Sequence, residues 1–532
     1  MTNVATPATA EINRARVFLG CFMALVATAF GFIIRATIID DWRVQFNLSQ
    51  TQIGYIQGAG LYPFAISIIL FSLVVDNIGY GISMVFAFAG HLLSLIITLT
   101  ARDFSMLYAG QFLFALSNGV VEAVINPVVA TMYEKEKTHY LNILHAGWPG
   151  GLVLGGLLAL GLGALNLDLD TATLWRLKMS LIALPTIAYG ILLFGQKFPV
   201  QERVAAGVSY LEMLQEFGTA SCFITCALLT TGINQILEVF GIILPFWVAA
   251  LLVLVPTVLF ALVVRTFGRP MFVLLLLVMF LLATTELGTD SWIADIMGSV
   301  LQSQNAGDLV LVYTSLIMFV LRFFAGPIVH VISPLGLLAV SAALACVGLV
   351  SLSYAGAAVT MVFIAATIYG FGKTFFWPTT LGVVSEQFPK GGALTLNAIA
   401  GVGMLAVGTL GNPLIGMVQD RNIDQVLRSR EPQLHARVMV EKHAMLGNYL
   451  ALDETKLETL SDQERETIQA LVREARQATL RQIAVLPAIM FICYVGLIIY
   501  FVNRGGYQAQ VLIGHEAEDE EFVGGTEGPG EA

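Results

Sequence analysis

The sequence predicts an all-α polytopic membrane protein with two pseudo-symmetric six-helix bundles plus an inserted two-helix hairpin, about 14 transmembrane helices in all. The first observation behind this prediction is composition: of 532 residues, 57% are hydrophobic and only 12% are charged. Soluble chains carry about a quarter charged residues, so most of the surface of this chain is expected to face lipid. The second observation is an internal repeat that relates the two halves of the chain.

Fourteen apolar runs are long enough to cross a bilayer as helices, which takes about 20 residues. The predicted spans are 17–39, 52–75, 82–100, 106–132, 141–165, 176–195, 220–240, 242–264, 271–293, 309–329, 335–354, 358–381, 394–418 and 483–502. No cleavable signal peptide is recognisable, so we interpret the first run as a retained helix. A capping box at Ser49-Gln50-Thr51-Gln52 is predicted to open the second span.

Positive charge is concentrated in the loops on one side of the predicted spans. With the N-terminus inside, the inner segments hold Arg14, Arg16, Lys135, Lys137, Lys197, Arg203, Arg265, Arg269, Lys390 and Arg504. The short outer segments hold Arg43, Arg102, Arg176 and Lys178. Because Lys and Arg favour cytoplasmic loops, both termini are predicted to be cytoplasmic, with the chain in the inner membrane of the cell.

The predicted domain organisation follows the spans. It comprises a cytoplasmic N-tail 1–16, a six-helix bundle 17–195, a cytoplasmic linker 196–219, an inserted transmembrane hairpin 220–265, a second bundle 266–502 and an acidic, disordered cytoplasmic tail 503–532. Within the second bundle, the polar stretch 421–481 is predicted to form an outer helical hairpin. Its second helix is expected to start at the capping box Ser461-Asp462-Gln463-Glu464 and to lead into the last span.

Short patterns recur in the two halves at nearly constant spacing. The segments 119–127 and 370–378 share a Gly, an ionisable residue three positions later and a Pro five positions after that, at an offset of 251 (122 to 373). An Asp with a Trp two positions later recurs at an offset of 250 (42 to 292), and a Leu-Asn pair at 255 (142 to 397). Parallel repeats are typical of transporters whose binding site lies between the halves near the membrane midplane.

The loop between the second and third spans resembles the loop motif of the major facilitator superfamily. Asp76 and Gly79 match that motif, whereas Asn77 and Tyr80 occupy positions that are usually basic. The second-half copy carries His330 where Asp is usual. The resemblance implies a two-bundle fold, secondary transport and a gating role for Asp76 and Gly79.

A narrower resemblance covers about residues 100–160. Glu122, followed by Asn126 and then Asn142, is similar to the fourth- and fifth-helix signature of the fucose permease-like sugar:proton symporters. In that branch the Glu is implicated in proton coupling and sugar binding, which implies these roles for Glu122 and places Asn126 and Asn142 near the substrate. The first span departs from the branch, because Arg35 lies where an acidic or Asn-rich stretch is usual.

Several ionisable residues lie near the predicted midplane of a span, where a charge costs at least about 2.5–3.5 kcal/mol. They are Arg35, His91, Glu122, His145, Glu238, Glu286, Asp290 and Lys373. Such groups are expected to be paired or to line a wet cavity. For His91 and Glu238 we favour ordinary structural roles, and static ion pairs that fix helix register remain an alternative for the others.

Helical spacing places several polar residues on shared faces. The pairs are Glu122 with Asn126, Glu286 with Asp290, Lys373 with Trp377, and Asn142 with His145. Glu122 and Lys373 hold equivalent repeat positions with opposite charge, so we predict that they approach each other across the pseudo-two-fold axis. Arg35 and Glu286 are one residue apart in the repeat alignment and are predicted to form a second pair. Asp290 is nearer the outer interface, where a helix-end role is an alternative.

These features favour a secondary transporter that moves a small polar solute, a sugar being favoured, by symport with H+ or Na+. The predicted substrate and coupling site comprises Glu122, Asn126, Asn142, His145, Lys373, Trp377, Arg35, Glu286 and Asp290. The expected partners are a small-molecule substrate and the lipid bilayer, without nucleic acid or cofactor and with a monomer as the functional unit. An exporter or antiporter and a non-transporting sensor remain alternatives. No His-Glu-x-x-His or paired-Asp motif indicates a membrane enzyme.

Overall fold

The computed structural model describes residues 12–48, 50–165, 167–238, 240–444, 447–457, 459–510 and 512. The predicted capping box at Ser49 and most of both predicted tails fall outside the described residues. Within these ranges, thirteen helices are long and apolar enough to cross a membrane. A further helix of 19 residues, ending at Arg322, lies five to seven residues before the bounds predicted for the tenth span. The predicted all-α polytopic fold is confirmed.

Eight helices form the first half of the fold. They are α1 (Arg14–Gln45), α2 (Gln50–Ala59), α3 (Tyr62–Ile78), α4 (Tyr80–Leu99), α5 (Phe104–Met132), α6 (Lys137–Ala164), α7 (Thr171–Ser180) and α8 (Ala183–Leu193). The second span is broken between α2 and α3 at Gly60 and Leu61, and Pro63 follows in the first turn of α3. Pro suits that turn because the first N–H groups of a helix have no intrahelical partner.

Three helices connect the halves: α9 (Glu202–Ala205), α10 (Tyr210–Glu238) and α11 (Phe246–Val264). The helices α10 and α11 pack against each other. Only 11% of the apolar stretch of α11 is buried within the protein. A helix that is apolar on all sides and unburied by protein is expected to face lipid.

The second half contains the remaining membrane helices. They are α12 (Pro270–Ala283), α13 (Thr289–Leu301), α14 (Gln304–Arg322), α15 (Ala325–Tyr354), α16 (Val359–Lys373), α17 (Phe376–Gln387), α18 (Gly392–Ala406) and α19 (Asn412–Arg430), followed after a polar segment by α23 (Val485–Val502). Two five-residue π-helical turns, Thr284–Gly288 and Val407–Gly411, join α12 to α13 and α18 to α19, and they contact each other. Such turns are frequent at functional sites.

The polar segment between α19 and α23 contains α20 (Pro432–Val438), β1 (Met439–Ala444), β2 (Gly447–Leu452), α21 (Glu454–Leu457) and α22 (Asp462–Ile483). The strands pair antiparallel, with Met439 opposite Leu452. We call residues 421–483 the distal segment, and its side of the membrane the distal face. The predicted capping box is present, because Ser461 and Glu464 cap each other, and α22 leads into the last span as expected. The predicted helical hairpin is incomplete, because a strand pair lies between its helices.

The two halves meet along α3 with α18, α6 with α14 and α17, and α5 with α18. Two asparagines that match in the repeat each donate across this interface. Asn142 Nδ2 lies 3.1 Å from Thr379 Oγ1, and Asn397 Nδ2 lies 2.9 Å from the carbonyl oxygen of Ala123. Pro127 has no N–H to bond that carbonyl four residues earlier, so the carbonyl is free to accept from the other half.

The face opposite the distal segment, where α1 begins and α23 ends, is called the terminal face. Polar side chains join the two halves there. Lys137 Nζ lies 2.7 Å from Glu202 Oε2, and Thr138 Oγ1 donates to Glu386 Oε1 at 2.5 Å. The hydroxyl of Tyr507, beyond the last span, donates to Glu386 Oε2 at 2.7 Å. These contacts connect α6, the linker, α17 and the C-terminal segment.

The predicted gating loop also lies at the terminal face. Asp76 forms an ion pair with Arg203 of the linker, with 2.5 Å between Asp76 Oδ2 and Arg203 Nη2, and both side chains are buried. In this loop Asn77 and Tyr80 occupy positions that are usually basic in the motif. The linker therefore supplies the positive charge instead. Gly79 ends α3 with φ of +87°, a conformation that Gly adopts without steric cost.

Candidate functional site

Two adjoining cavities lie between the halves. The central cavity, of about 40 Å3, is lined by Glu122 and His145 of the first half and by Glu286, Arg322 and Trp377 of the second. The distal cavity, of about 110 Å3, lies nearer the distal face. Phe64, Trp148, Leu287 and Met404 line both cavities. Each cavity exceeds the roughly 10–15 Å3 that one water molecule needs, so both can be hydrated.

On the first-half side of the central cavity, three polar side chains form a hydrogen-bonded chain. Asn126 Nδ2 donates to Glu122 Oε2 at 2.7 Å, and Asn126 Oδ1 lies 2.9 Å from His145 Nε2. Glu122 and Asn126 share a face of α5, whereas His145 comes from α6. Within the described part of the chain, no Lys or Arg nitrogen lies within ion-pair distance of Glu122. Its carboxyl group is therefore held by a neutral partner.

On the second-half side, a carboxylate is held by a positive charge. Glu286 Oε1 lies 3.1 Å from Arg322 Nη2, and the two side chains are 3% and 2% exposed. Glu286 belongs to the π-helical turn Thr284–Gly288. Among the described residues its second oxygen, Oε2, has no hydrogen-bond partner. The cavity thus presents one free carboxylate oxygen on this side.

Arg322 also binds two backbone carbonyls that prolines have released. Its Nη1 donates to the His145 oxygen at 2.6 Å, and its Nε donates to the Thr374 oxygen at 2.8 Å. Pro149 and Pro378 lie four residues after these carbonyls and cannot supply the usual helical N–H. The break between α16 and α17 comprises Thr374 and Phe375, in the turn that precedes Pro378. One guanidinium therefore connects a bent helix of each half to Glu286.

Lys373 has a different partner from the predicted one. Its ammonium group forms an ion pair with Asp290 on α13, while Glu122 bonds Asn126. Lys373 Nζ also lies 5.3 Å from the ring centroid of Tyr369. The expected Glu122–Lys373 pair is wrong because equivalent repeat positions fix the level of two side chains in the membrane, but not the direction in which each helix face points.

The predicted Arg35–Glu286 pair is also absent. Glu286 forms its ion pair with Arg322. Arg35 lines the distal cavity, where its Nη1 lies 3.5 Å from Gln111 Oε1. Asn142 lies away from both cavities and bonds Thr379 and the Thr138 backbone, so its contacts join the halves. The structure therefore brings Glu122, Asn126, His145, Glu286 and Trp377 together, and places Arg35 and Asp290 at the distal cavity.

The sequence prediction omitted Arg322. The signal was present, because an Arg between Leu321 and Phe323 inside the predicted span 309–329 is a charge in an apolar run. Asn118, which lines the distal cavity, was also omitted, and nothing in its spacing distinguishes it. Its Oδ1 lies 2.8 Å from Nε2 of His91, whose Nδ1 lies 2.9 Å from the Tyr189 hydroxyl. His91 is thus a buried, satisfied side chain, as expected.

The helical membrane fold, with charged residues buried at cavities between two halves, defines a multi-pass protein of transporter architecture. Residues 17–291 match the Major Facilitator Superfamily, and the chain belongs to that family. The comparison with curated proteins gives no match.

Solved structures show the same fold at low sequence identity. The E. coli fucose:proton symporter FucP shares 15% identity, with 89% of this chain and 98% of that chain covered and a TM-score of 0.56. The proton:xylose symporter XylE shares 12% identity, with 94% of this chain and 97% of that chain covered and a TM-score of 0.60. The human organic anion transporter MFSD10 shares 12% identity, with 91% of this chain and 100% of that chain covered and a TM-score of 0.58. The predicted superfamily is confirmed, and the resemblance to the fucose permease is confirmed at the level of the fold.

Proposed function

We propose that this protein is a secondary active transporter that carries a small organic solute together with a proton, by alternating access of its two halves. The observation that supports this proposal is Glu122, a buried carboxyl group at the central cavity whose partner is the neutral amide of Asn126. Proton exchange at a carboxyl group without a cationic partner breaks no ion pair. Glu122 is therefore the proton site of this proposal, and His145 is linked to it through Asn126.

Alternating access accounts for the polar contacts at the terminal face. Lys137, which donates to the Ser385 carbonyl at 3.4 Å, and Thr138, which donates to Glu386, join the halves there. The cavities lie between the same halves nearer the distal face. Opening towards the terminal face requires these contacts to break. With the orientation predicted from loop charges, the terminal face is cytoplasmic, and the substrate enters the distal cavity from outside.

Fold likeness does not choose the substrate. The similar structures include a fucose and a xylose symporter, an organic anion transporter and a bacterial homologue of peptide transporters. A sugar is the substrate that the resemblance around Glu122 implies, and it remains a prediction. Export by antiport would use the same proton site with the opposite solute direction.

The test is solute-driven proton movement in proteoliposomes that contain purified protein and a pH-sensitive dye. Sugars, carboxylates and nucleosides are added one at a time, with Na+ present or replaced by choline. We expect a transported solute to carry protons inward and to be concentrated by an imposed pH gradient. Glu122→Gln is expected to abolish accumulation and to retain solute exchange.

The matched control is Glu238→Gln, which removes an exposed carboxylate of α10 and is expected to behave as the unaltered protein. Full uphill uptake by Glu122→Gln would contradict the assignment of the proton site. Solute binding without any flux would favour the sensor alternative, and a strict requirement for Na+ would replace the proton as the coupling ion.

A further inference from the structure

Arg35 is a buried guanidinium that lacks a charged partner. It is 6% exposed, and its side-chain hydrogen bond is a long one, 3.5 Å from Nη1 to Gln111 Oε1. Within the described ranges, no carboxylate lies within ion-pair distance of it. A guanidinium has five N–H donors in a planar fork that matches a carboxylate. The Phe32 ring, whose centroid lies 5.5 Å from Arg35 Cζ, gives the guanidinium a cation–π contact but no counter-charge. A buried charge without a counter-charge is costly, so this site suits an anionic partner that the chain does not itself supply.

The backbone beside Arg35 is shaped to leave its guanidinium open to the distal cavity. Gly60, in the break between α2 and α3, lies directly against that group, and a Cβ atom at Gly60 would collide with Nη1. Leu61, the residue that precedes α3, provides no side-chain cap for the first N–H groups of the helix, and it lines the same cavity.

The rest of the distal cavity suits an apolar body. Its walls include the side chains of Phe32, Phe64, Phe114, Leu287, Leu311 and Met404. A sugar would present hydroxyl groups on every side, each needing a polar partner when buried. Polar side chains also line this cavity, namely Thr28, Asn118, Asp290, Ser291, Ser315 and Asn412. Asp290 is paired with Lys373, and Thr28, Asn118 and Ser291 are hydrogen-bonded within the protein, so among the described residues Arg35 is the charged group of the lining that lacks a charged partner. A solute with one negatively charged end and an apolar remainder matches such a cavity.

We propose that the distal cavity binds a monovalent organic carboxylate with an apolar body, its carboxylate paired with the guanidinium of Arg35. This inference rests on the proposed proton symport and names the class of its substrate. Arg35 is a binding residue in this scheme, while Glu122 carries the proton in the adjoining central cavity.

The buried charges give a reason for transporting a proton and a carboxylate together. Three cations and three carboxylates lie at or beside the cavities: Arg35, Arg322 and Lys373 with Glu122, Glu286 and Asp290. With His145 neutral, protonation of Glu122 leaves a net charge of +1 in a low-dielectric region. A bound monoanion restores neutrality, so proton and carboxylate favour each other's binding. Loaded and empty carriers then have the same charge, and transport is electroneutral.

The experiment uses the full chain in proteoliposomes and in detergent. Binding of ω-phenylalkanoates of increasing chain length is compared by calorimetry with binding of the matching amides and of L-fucose and D-xylose. We expect carboxylates to bind, and to bind at least tenfold more tightly than their amides. Arg35→Gln is expected to weaken carboxylate binding more than tenfold, and Arg35→Lys to retain part of it. Arg428→Gln, at an exposed arginine of α19, is the matched control.

Transport gives a second readout. Carboxylate-driven proton uptake is expected to be unchanged by a membrane potential imposed with K+ and valinomycin. Equal binding of carboxylate and amide, no binding by any member of the series, undiminished affinity in Arg35→Gln, or uptake that responds to the potential would overturn the inference. Gel filtration and unliganded melting of Arg35→Gln and Arg35→Lys identify a folding defect.

The two proposals fail separately. Proton uptake driven by a sugar, without carboxylate binding, would refute the carboxylate site and leave proton symport standing. Carboxylate binding through Arg35 without proton movement would refute symport and leave the anion site standing.

Discussion

The two halves present a buried glutamate to the same central cavity in opposite settings. Glu122 of the first half is held by the amide of Asn126, whereas Glu286 of the second half is held by the guanidinium of Arg322. A carboxyl group with a neutral partner can gain or lose a proton while its hydrogen bonds persist. Protonation of a carboxylate that is paired with a cation breaks the ion pair and leaves the cation buried and alone. The difference favours Glu122 over Glu286 as the proton site that we propose, and it favours a structural role for the Glu286–Arg322 ion pair.

Arg322→Gln is expected to have the largest effect on stability. It leaves Glu286 as an unpaired buried charge and removes the donors to the His145 and Thr374 carbonyls. Breaking a buried ion pair in this way costs about 3–5 kcal/mol. Unfolding in mixed micelles measures the loss. The double variant Arg322→Gln with Glu286→Gln should recover part of the lost free energy of unfolding. A loss below about 1 kcal/mol in Arg322→Gln alone would contradict a stabilising role for this ion pair.

Lys373→Met should have an intermediate effect. Asp290 then loses its partner, but its side chain is 18% exposed, so water of the distal cavity can solvate it. We expect a loss smaller than that of Arg322→Gln, about 2–3 kcal/mol, by discounting the cost of a fully buried pair for this exposure. The same unfolding measurement checks the order of the two variants. A larger loss for Lys373→Met would reverse the ranking of the two ion pairs.

Glu122→Gln should have the smallest effect on stability despite the largest effect on accumulation. Gln is nearly isosteric, and its amide oxygen can accept from Asn126 Nδ2 as the carboxylate does. The expected change in the free energy of unfolding is within about 1 kcal/mol, because one hydrogen bond to a charged acceptor becomes a neutral one. A loss comparable to that of Arg322→Gln would contradict the contrast between the halves.

The sequence was informative where hydropathy and spacing carry the information. Apolar runs located the membrane helices, the repeat indicated parallel halves, and the Ser461 capping box marked the start of α22. Spacing also grouped Glu122 with Asn126, and Glu286 with Asp290, on their helix faces. Each of these features depends on residues close together in the chain or on long averages of composition.

Partner choice was not predictable in the same way. Which of three carboxylates Lys373 meets depends on the rotation of α16 relative to α13, and spacing leaves that rotation undetermined. The roles of Pro149 and Pro378 were likewise hidden. A proline predicts a free carbonyl four residues earlier, but only the packed helices show that Arg322 reaches both carbonyls. The short strands β1 and β2 were missed within a segment interpreted as helical.

The distal segment has a practical consequence for imaging. Two similar bundles, mostly hidden in a detergent belt, give projections that are hard to tell apart or to orient. Here α19 enters the distal segment directly and α22 runs into α23, so a folded mass, with its own apolar core, is joined to the membrane helices on one side. That mass distinguishes the two membrane faces and the two bundles in a projection. It offers electron cryo-microscopy a built-in fiducial without a bound antibody fragment.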